Sequence, residues 1–174
     1  MTKSLESCEV IGSSILGVIN GLGAFRSQAE RLLEEHSLPT EPQPDQWIPM
    51  QPWIDVLNAL GKKVGPTTLY NVGKKTVEVS VFPPDLDTVE KVLSIMDTGY
   101  RMNHRGPKSG RWTYSMTGEK SATAVFEGSH PCDFVRGILD ALVNKGSVSK
   151  VTVTHAEGSC VKTGGINCSY NINW

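Results

Sequence analysis

The chain has 174 residues, of which 39% are hydrophobic, enough for a proper apolar core. Its 17 Lys and Arg against 18 Asp and Glu give a formal net charge of -1, so neither a basic stripe for nucleic acid nor an acidic tail is present. No apolar run approaches the ~20 residues of a membrane span, and the N-terminus lacks the order of a signal peptide. A cytoplasmic setting is therefore expected, in which the four cysteines are metal ligands or packing residues rather than disulfides.

Residues Ser4 to His36 read as one long helix or a broken pair, with Val10, Ile11, Ile15 and Val18 at helical spacing and a break near Asn20-Gly21. Phe25 to Glu35 is the better helix, with Ala29, Leu32 and Leu33 on one face. Pro39, Pro42 and Pro44 make the stretch from Leu38 to Gln46 a loop. Pro52 suits the first turn of a helix through Trp53, Leu57 and Leu60 to Lys63. A short helix from Pro66 to Val72 is expected to stop near Gly73, and Val77 to Phe82 reads as extended. Asp85 and Asp87 are placed to cap a helix from Thr88 to Arg101, whose apolar stripe is Val89, Val92, Leu93, Met96 and Tyr100.

Arg111 to Met116 and Ala122 to Glu127 form two strand-like runs around Thr117-Gly118-Glu119-Lys120, a hairpin by composition. A helix from Phe134 to Asn144 follows, closed by Gly146. The chain ends in a second hairpin, Val148 to His155 and Cys168 to Trp174, both alternating. The order of helices, hairpin, helix, hairpin predicts an α+β fold. A mostly antiparallel four-stranded sheet carries helices on one face. We expect a single domain over 1–174, mostly helical over 1–105 and hairpin-helix-hairpin over 106–174.

The chemistry concentrates late in the chain. Cys160 and Cys168 flank a glycine-rich loop, Cys132 opens the preceding helix, and His155 and Glu157 lie just upstream of Cys160. Three thiols with one imidazole or carboxylate make the ligand set of a closed tetrahedral zinc site. A competing reading makes Cys132 a nucleophile beside His130 or His155 and Asp133, because a helix start lowers a thiol pKa.

The pattern His155-x-Glu157-x2-Cys160-x3-Gly164-x3-Cys168-x-Tyr170, with Cys132 at a helix head, resembles the 4-vinyl-reductase domain family. That family shares its fold with Bet3-type trafficking subunits and is related to haem-nitric-oxide-binding domains. Its bacterial members include sensors of aromatic compounds. The resemblance covers mainly residues 110–174. It implies a structural zinc held by Cys132, Glu157, Cys160 and Cys168, with His155 as the alternative to Glu157. It also implies an apolar pocket for an aromatic or hydrophobic small molecule, with polar contacts from a Trp and a His. Trp112 stands near the spacing of the family's tryptophan, and His104, Tyr100 and Tyr114 are the neighbouring candidates. The relatives are dimeric, so a homodimer is expected.

No Walker motif, helix-turn-helix segment or dinucleotide fingerprint is present. A sensor of this kind signals through a partner protein. Two alternatives stand beside it, a haem-binding gas sensor and the cysteine-dependent enzyme. The Tyr-x-Ser-x-Arg haem-propionate signature is missing, which speaks against the first.

Overall fold

The computed structural model describes residues 5–78, 80, 82–145 and 150–174. The elements in order are β1 (Glu9–Ile11), α1 (Gly12–Gly21), α2 (Arg26–Glu35), β2 (Trp47–Pro49), α3 (Met50–Val64), α4 (Pro66–Glu78) and α5 (Val89–Asn103). Then come β3 (His104–Arg105), β4 (Arg111–Gly118), β5 (Ser121–Glu127), α6 (Cys132–Lys145), β6 (Thr152–His155) and β7 (Cys168–Asn173). This is the expected α+β architecture. The main sheet is antiparallel in the order β4-β5-β7-β6. A second sheet, β2-β1-β3, is new.

The second sheet corrects the reading of the N-terminus. Val10 and Ile11 do not start a helix. They lie in β1, which pairs with β2 and β3. Three-residue strands are too short to display a period of two, and cross-strand pairing outweighs local helical spacing. The cap of α5 also differs. Thr88 accepts a hydrogen bond from the Lys91 N–H at 3.2 Å, while Asp87 pairs with the Lys91 ammonium at 2.7 Å.

α4 runs straight through Gly73 and takes in Val77, where an extended segment was expected. The glycine is there for packing. A Cβ on Gly73 would lie 2.2 Å from the Phe134 carbonyl oxygen, and one on Gly137 would lie 2.0 Å from that of Tyr70. The two helices therefore touch backbone to backbone. Tyr70 donates to Asp140 at 2.8 Å and the Lys74 ammonium approaches the same oxygen at 2.9 Å, so the polar groups at this contact are paired. Residues 79 and 81, the Gly146 helix stop and the start of the last hairpin at Val148 lie outside the described residues.

Two apolar clusters result. One joins the N-terminal helices around Ile15, Leu33, Ile48, Leu57 and Leu60. The other fills the space between the sheet and helices α5 and α6, around Leu93, Phe126, Leu139, Tyr170 and Ile172. α6 belongs to both, with Phe134 in the first and Val135, Leu139 and Val143 in the second. Among the described residues no helix is long and apolar enough to cross a membrane.

Candidate metal centre

Three elements converge where the sheet meets the start of α6. Cys132 is the first residue of that helix. Cys168 opens β7 opposite Phe126 of β5, and His155 closes β6 opposite Tyr170. Cys160 lies in the loop between β6 and β7. One ligand atom from each of Cys132, His155, Cys160 and Cys168 lies within 4.8 Å of all the others, and the three cysteines are buried. The sulfurs of Cys160 and Cys168 are 3.8 Å apart. Two thiolates on one tetrahedral zinc, at Zn–S of about 2.3 Å, would be separated by about 3.8 Å.

The surrounding atoms orient these donors. His155 Nδ1 is 2.7 Å from the Ala156 carbonyl oxygen, which can only accept. Nδ1 therefore carries the proton and Nε2 keeps its lone pair. Nε2 is buried and has no hydrogen-bond partner. The Val161 N–H donates to the Cys168 sulfur at 3.4 Å, and the Tyr170 hydroxyl donates to the Cys132 carbonyl at 3.2 Å. Lys162 and Asp133 pair at 2.6 Å and fasten the loop to the head of α6. Gly165 allows the loop to double back. A Cβ there would sit 2.7 Å from the Cys160 nitrogen.

Glu157, the favoured fourth ligand from sequence, is exposed and stands outside this set. β6 ends at His155, in register with Tyr170, and the chain then turns at Gly158 with φ of +117°. The strand thus carries His155 to the sulfurs and leaves Glu157 on the loop. Tyr170, part of the motif, and Asp133, named only in the competing nucleophile reading, support the site together with Lys162, which the sequence reading missed. Only Tyr170 had a signal, since it shares the period-two face of Cys168.

The thiols share their protons unequally. A hydrogen bond with Cys132 lowers the Cys168 pKa, aided by the Val161 N–H. The bond with Cys168, followed by burial, pushes Cys132 well above the ordinary thiol range. The helix start does not offset this rise. The other histidine proposed as its base, His130, packs elsewhere. It stands among Tyr100, His104, Phe126 and Phe134, with its Nδ1 buried and unpaired.

Three of the four ligand candidates, Tyr100, His104 and Trp112, fall into that same layer. Tyr100 stacks on His104 at 4.0 Å and meets Phe126 edge-on at 5.4 Å. Trp112 packs on Phe126 at 4.9 Å. Tyr114 is exposed on β4, outside the ring contacts. None of these four lines either of two cavities beside the Cys160 loop. The larger, about 590 Å³, runs between α3, α4 and the metal-site loop and is bordered by Ile54, Asn58, Lys62, Leu69, Cys132 and Ile166. The smaller, about 480 Å³, opens over the cysteines beside Arg136 and Lys162.

The histidine layer predicts acid sensitivity. Burial pushes His104 down to about 4, and His130 well below its ordinary value. In the unfolded chain both titrate near 6.5. As pH falls below about 6.5, the unfolded chain takes up protons that the folded chain refuses, so stability drops until the folded rings titrate, His104 at about pH 4. The slope approaches about 1.4 kcal/mol per pH unit for each ring. Melting curves across this window test it. The slope should fall by about half in His130→Leu, which separates the effect from acid attack on the thiolates.

No protein-family model and no curated protein matches the chain. Similar solved structures exist at the level of fold. An oxygen-binding H-NOX domain related to soluble guanylate cyclases, solved as its oxygen complex, superimposes with a TM-score of 0.67 at 14% identity over 93% of each chain. A point mutant of the H-NOX domain of T. tengcongensis gives 0.69 at 14% identity, over 93% of this chain and 96% of that one. A structure from a study of haem distortion in the H-NOX family gives 0.68 at 14% identity, over 94% and 95%. These neighbours do not support the 4-vinyl-reductase name that the motif suggested. They belong to the haem-nitric-oxide-binding group to which that resemblance is related. The chain has an H-NOX-like fold.

Proposed function

We propose that the chain is a small-molecule sensor module with a structural metal centre formed by Cys132, His155, Cys160 and Cys168. The observation that carries the reading is the donor set, three sulfurs and one imidazole nitrogen with its lone pair free, gathered from two strands, a loop and a helix. Zinc suits it, because thiolate and imidazole donors filling all four positions leave none open for a reacting water. The ion would tie α6 to the closing hairpin. The cleft of about 590 Å³, which shares Cys132 and Lys162 with that centre, is the place we assign to a hydrophobic or aromatic ligand. A signal would then pass to a partner protein through the metal-site loop, one wall of the cleft.

A second reading, haem-binding gas sensing, is favoured by the fold neighbours, whose titles name haem distortion and an oxygen complex. His130 is the residue to test, with its buried, partnerless Nδ1. Its surroundings oppose a haem in this packing. Tyr100, His104, Phe126 and Phe134 close around the ring, which lines neither of the two cavities beside the Cys160 loop. A haem on His130 would require this aromatic layer to open.

One preparation separates the readings. Titrated with cobalt(II), the purified protein should develop the intense visible bands of tetrahedral thiolate coordination at one metal per chain, lost in Cys160→Ser. Titrated with hemin, it should show no saturable Soret shift. A stoichiometric Soret band that disappears in His130→Ala, with no cobalt spectrum, would reverse the assignment.

A further inference from the structure

The two edges of the main sheet are finished differently. At the β6 edge the strand has only four residues, and Asn144 of α6 bonds both backbone groups of Val151 just before it, at 2.9 and 3.1 Å. Short, plugged edges resist further pairing. The β4 edge has eight residues, and after Trp112 every one of them is exposed. From Trp112 to Met116 it carries no charge and no proline, two of the devices that guard an edge, and the bulge in its pairing with β5 comes only after Met116. Two of the four exposed large apolar side chains among the described residues, Tyr114 and Met116, stand on it. They share the face of buried Trp112.

Among the described residues the edge is plugged at one point. Asp97 of α5 accepts the Trp112 N–H at 2.8 Å, so that N–H is turned away from β5. By alternation, the backbone groups of Tyr114 and Met116 also point outward, and those of Thr113 and Ser115 point to β5. We propose that a second copy of this chain pairs with β4, antiparallel, about a two-fold axis at Ser115. In that register Tyr114 of one copy lies opposite Met116 of the other, twice, and the free outward groups of both residues are used. The two apolar side chains cover each other. The first charged residues beyond the uncharged run are Arg111 and Glu119. The two-fold axis brings Arg111, already paired with Glu127 at 3.0 Å, toward the turn that holds Glu119 of the other copy. An isologous contact of this kind closes at two copies and joins the two sheets into one of eight strands. Pairing of one strand covers less than the ~1,200–2,000 Å² of a standard interface, so the association depends on concentration. The inference is independent of the metal centre.

The test uses the full chain. Sedimentation equilibrium should show a monomer–dimer equilibrium, and Met116→Lys, at an exposed position, should raise its dissociation constant about tenfold or more without changing the melting curve. Ser115→Cys reads the register. Facing residues on the axis form a non-hydrogen-bonded pair with Cα atoms about 4.5 Å apart, within disulfide range. With oxidised glutathione this variant should become a covalent dimer. Thr113→Cys should not, because its own copy lies four residues along, about 13 Å away. A wild type still monomeric at about 1 mM would overturn the proposal and leave the edge to a strand of another protein. Equal cross-linking at positions 113 and 115, or a dimer indifferent to Met116→Lys, would overturn it as well.

Discussion

Cys168→Ser is expected to lower the melting temperature by about 10 °C or more, because on the proposed reading the loss of one ligand would release the ion and its folding energy. Cys168 is the sulfur most tightly built in. It accepts the Val161 N–H, contacts the Cys160 sulfur at 3.8 Å and starts β7 in register with Phe126. The serine oxygen is a poorer zinc donor and shorter than the thiolate, so the two strands and α6 lose their common anchor. The substitution also removes buried sulfur, which by itself costs a fraction of that amount. A strong chelator separates the two contributions. Wild type treated with chelator should melt close to the variant, and the variant should not respond. If neither chelator nor substitution moves the transition, the four residues are packing groups and the metal centre is wrong.

The second large effect belongs to a glycine. Gly137→Ala should cost about 3 kcal/mol, at the upper end of the overpacking range, and lower the melting temperature by about 6–12 °C. Intrinsic helix propensity points the other way, since alanine favours a helix by up to about 1 kcal/mol over glycine. The contact decides. The new methyl would lie 2.0 Å from the Tyr70 carbonyl oxygen, which is backbone and cannot step aside. α4 and α6 must part, and the Tyr70–Asp140 bond at 2.8 Å stretches with them. Gly99 is the control, a glycine of α5 with nothing within 4 Å of an added Cβ. Gly99→Ala should stabilise by a few tenths to about 1 kcal/mol. Urea unfolding of both variants checks the pair. The same sign in both would mean that propensity rather than contact governs position 137.

The local patterns of the chain determined a good deal of this protein. Period-two alternation placed the hairpin strands to within a few residues, and the stripe from Val89 to Tyr100 placed α5. Both patterns arise from residues whose neighbours are close in sequence, so they survive without knowledge of the rest. The spacing of Cys132, Cys160 and Cys168 was enough to group three thiols before their geometry was known.

Only the tertiary structure shows that His155 rather than Glu157 stands beside the three sulfurs, because that rests on strand register with Tyr170 and on where β6 ends. Likewise, Gly73 looks like a helix stop until Phe134, sixty-one residues later, is seen against it. β1 to β3 are three-, three- and two-residue strands whose partners lie up to 96 residues away, as in the Glu9–Arg105 pair, and nothing local announces them. Trp112, His104 and Tyr100 were legible as aromatic and polar groups near one another. Whether they line a cavity or fill one depends on how α5 settles on the sheet, and that is set by packing between elements distant in the chain.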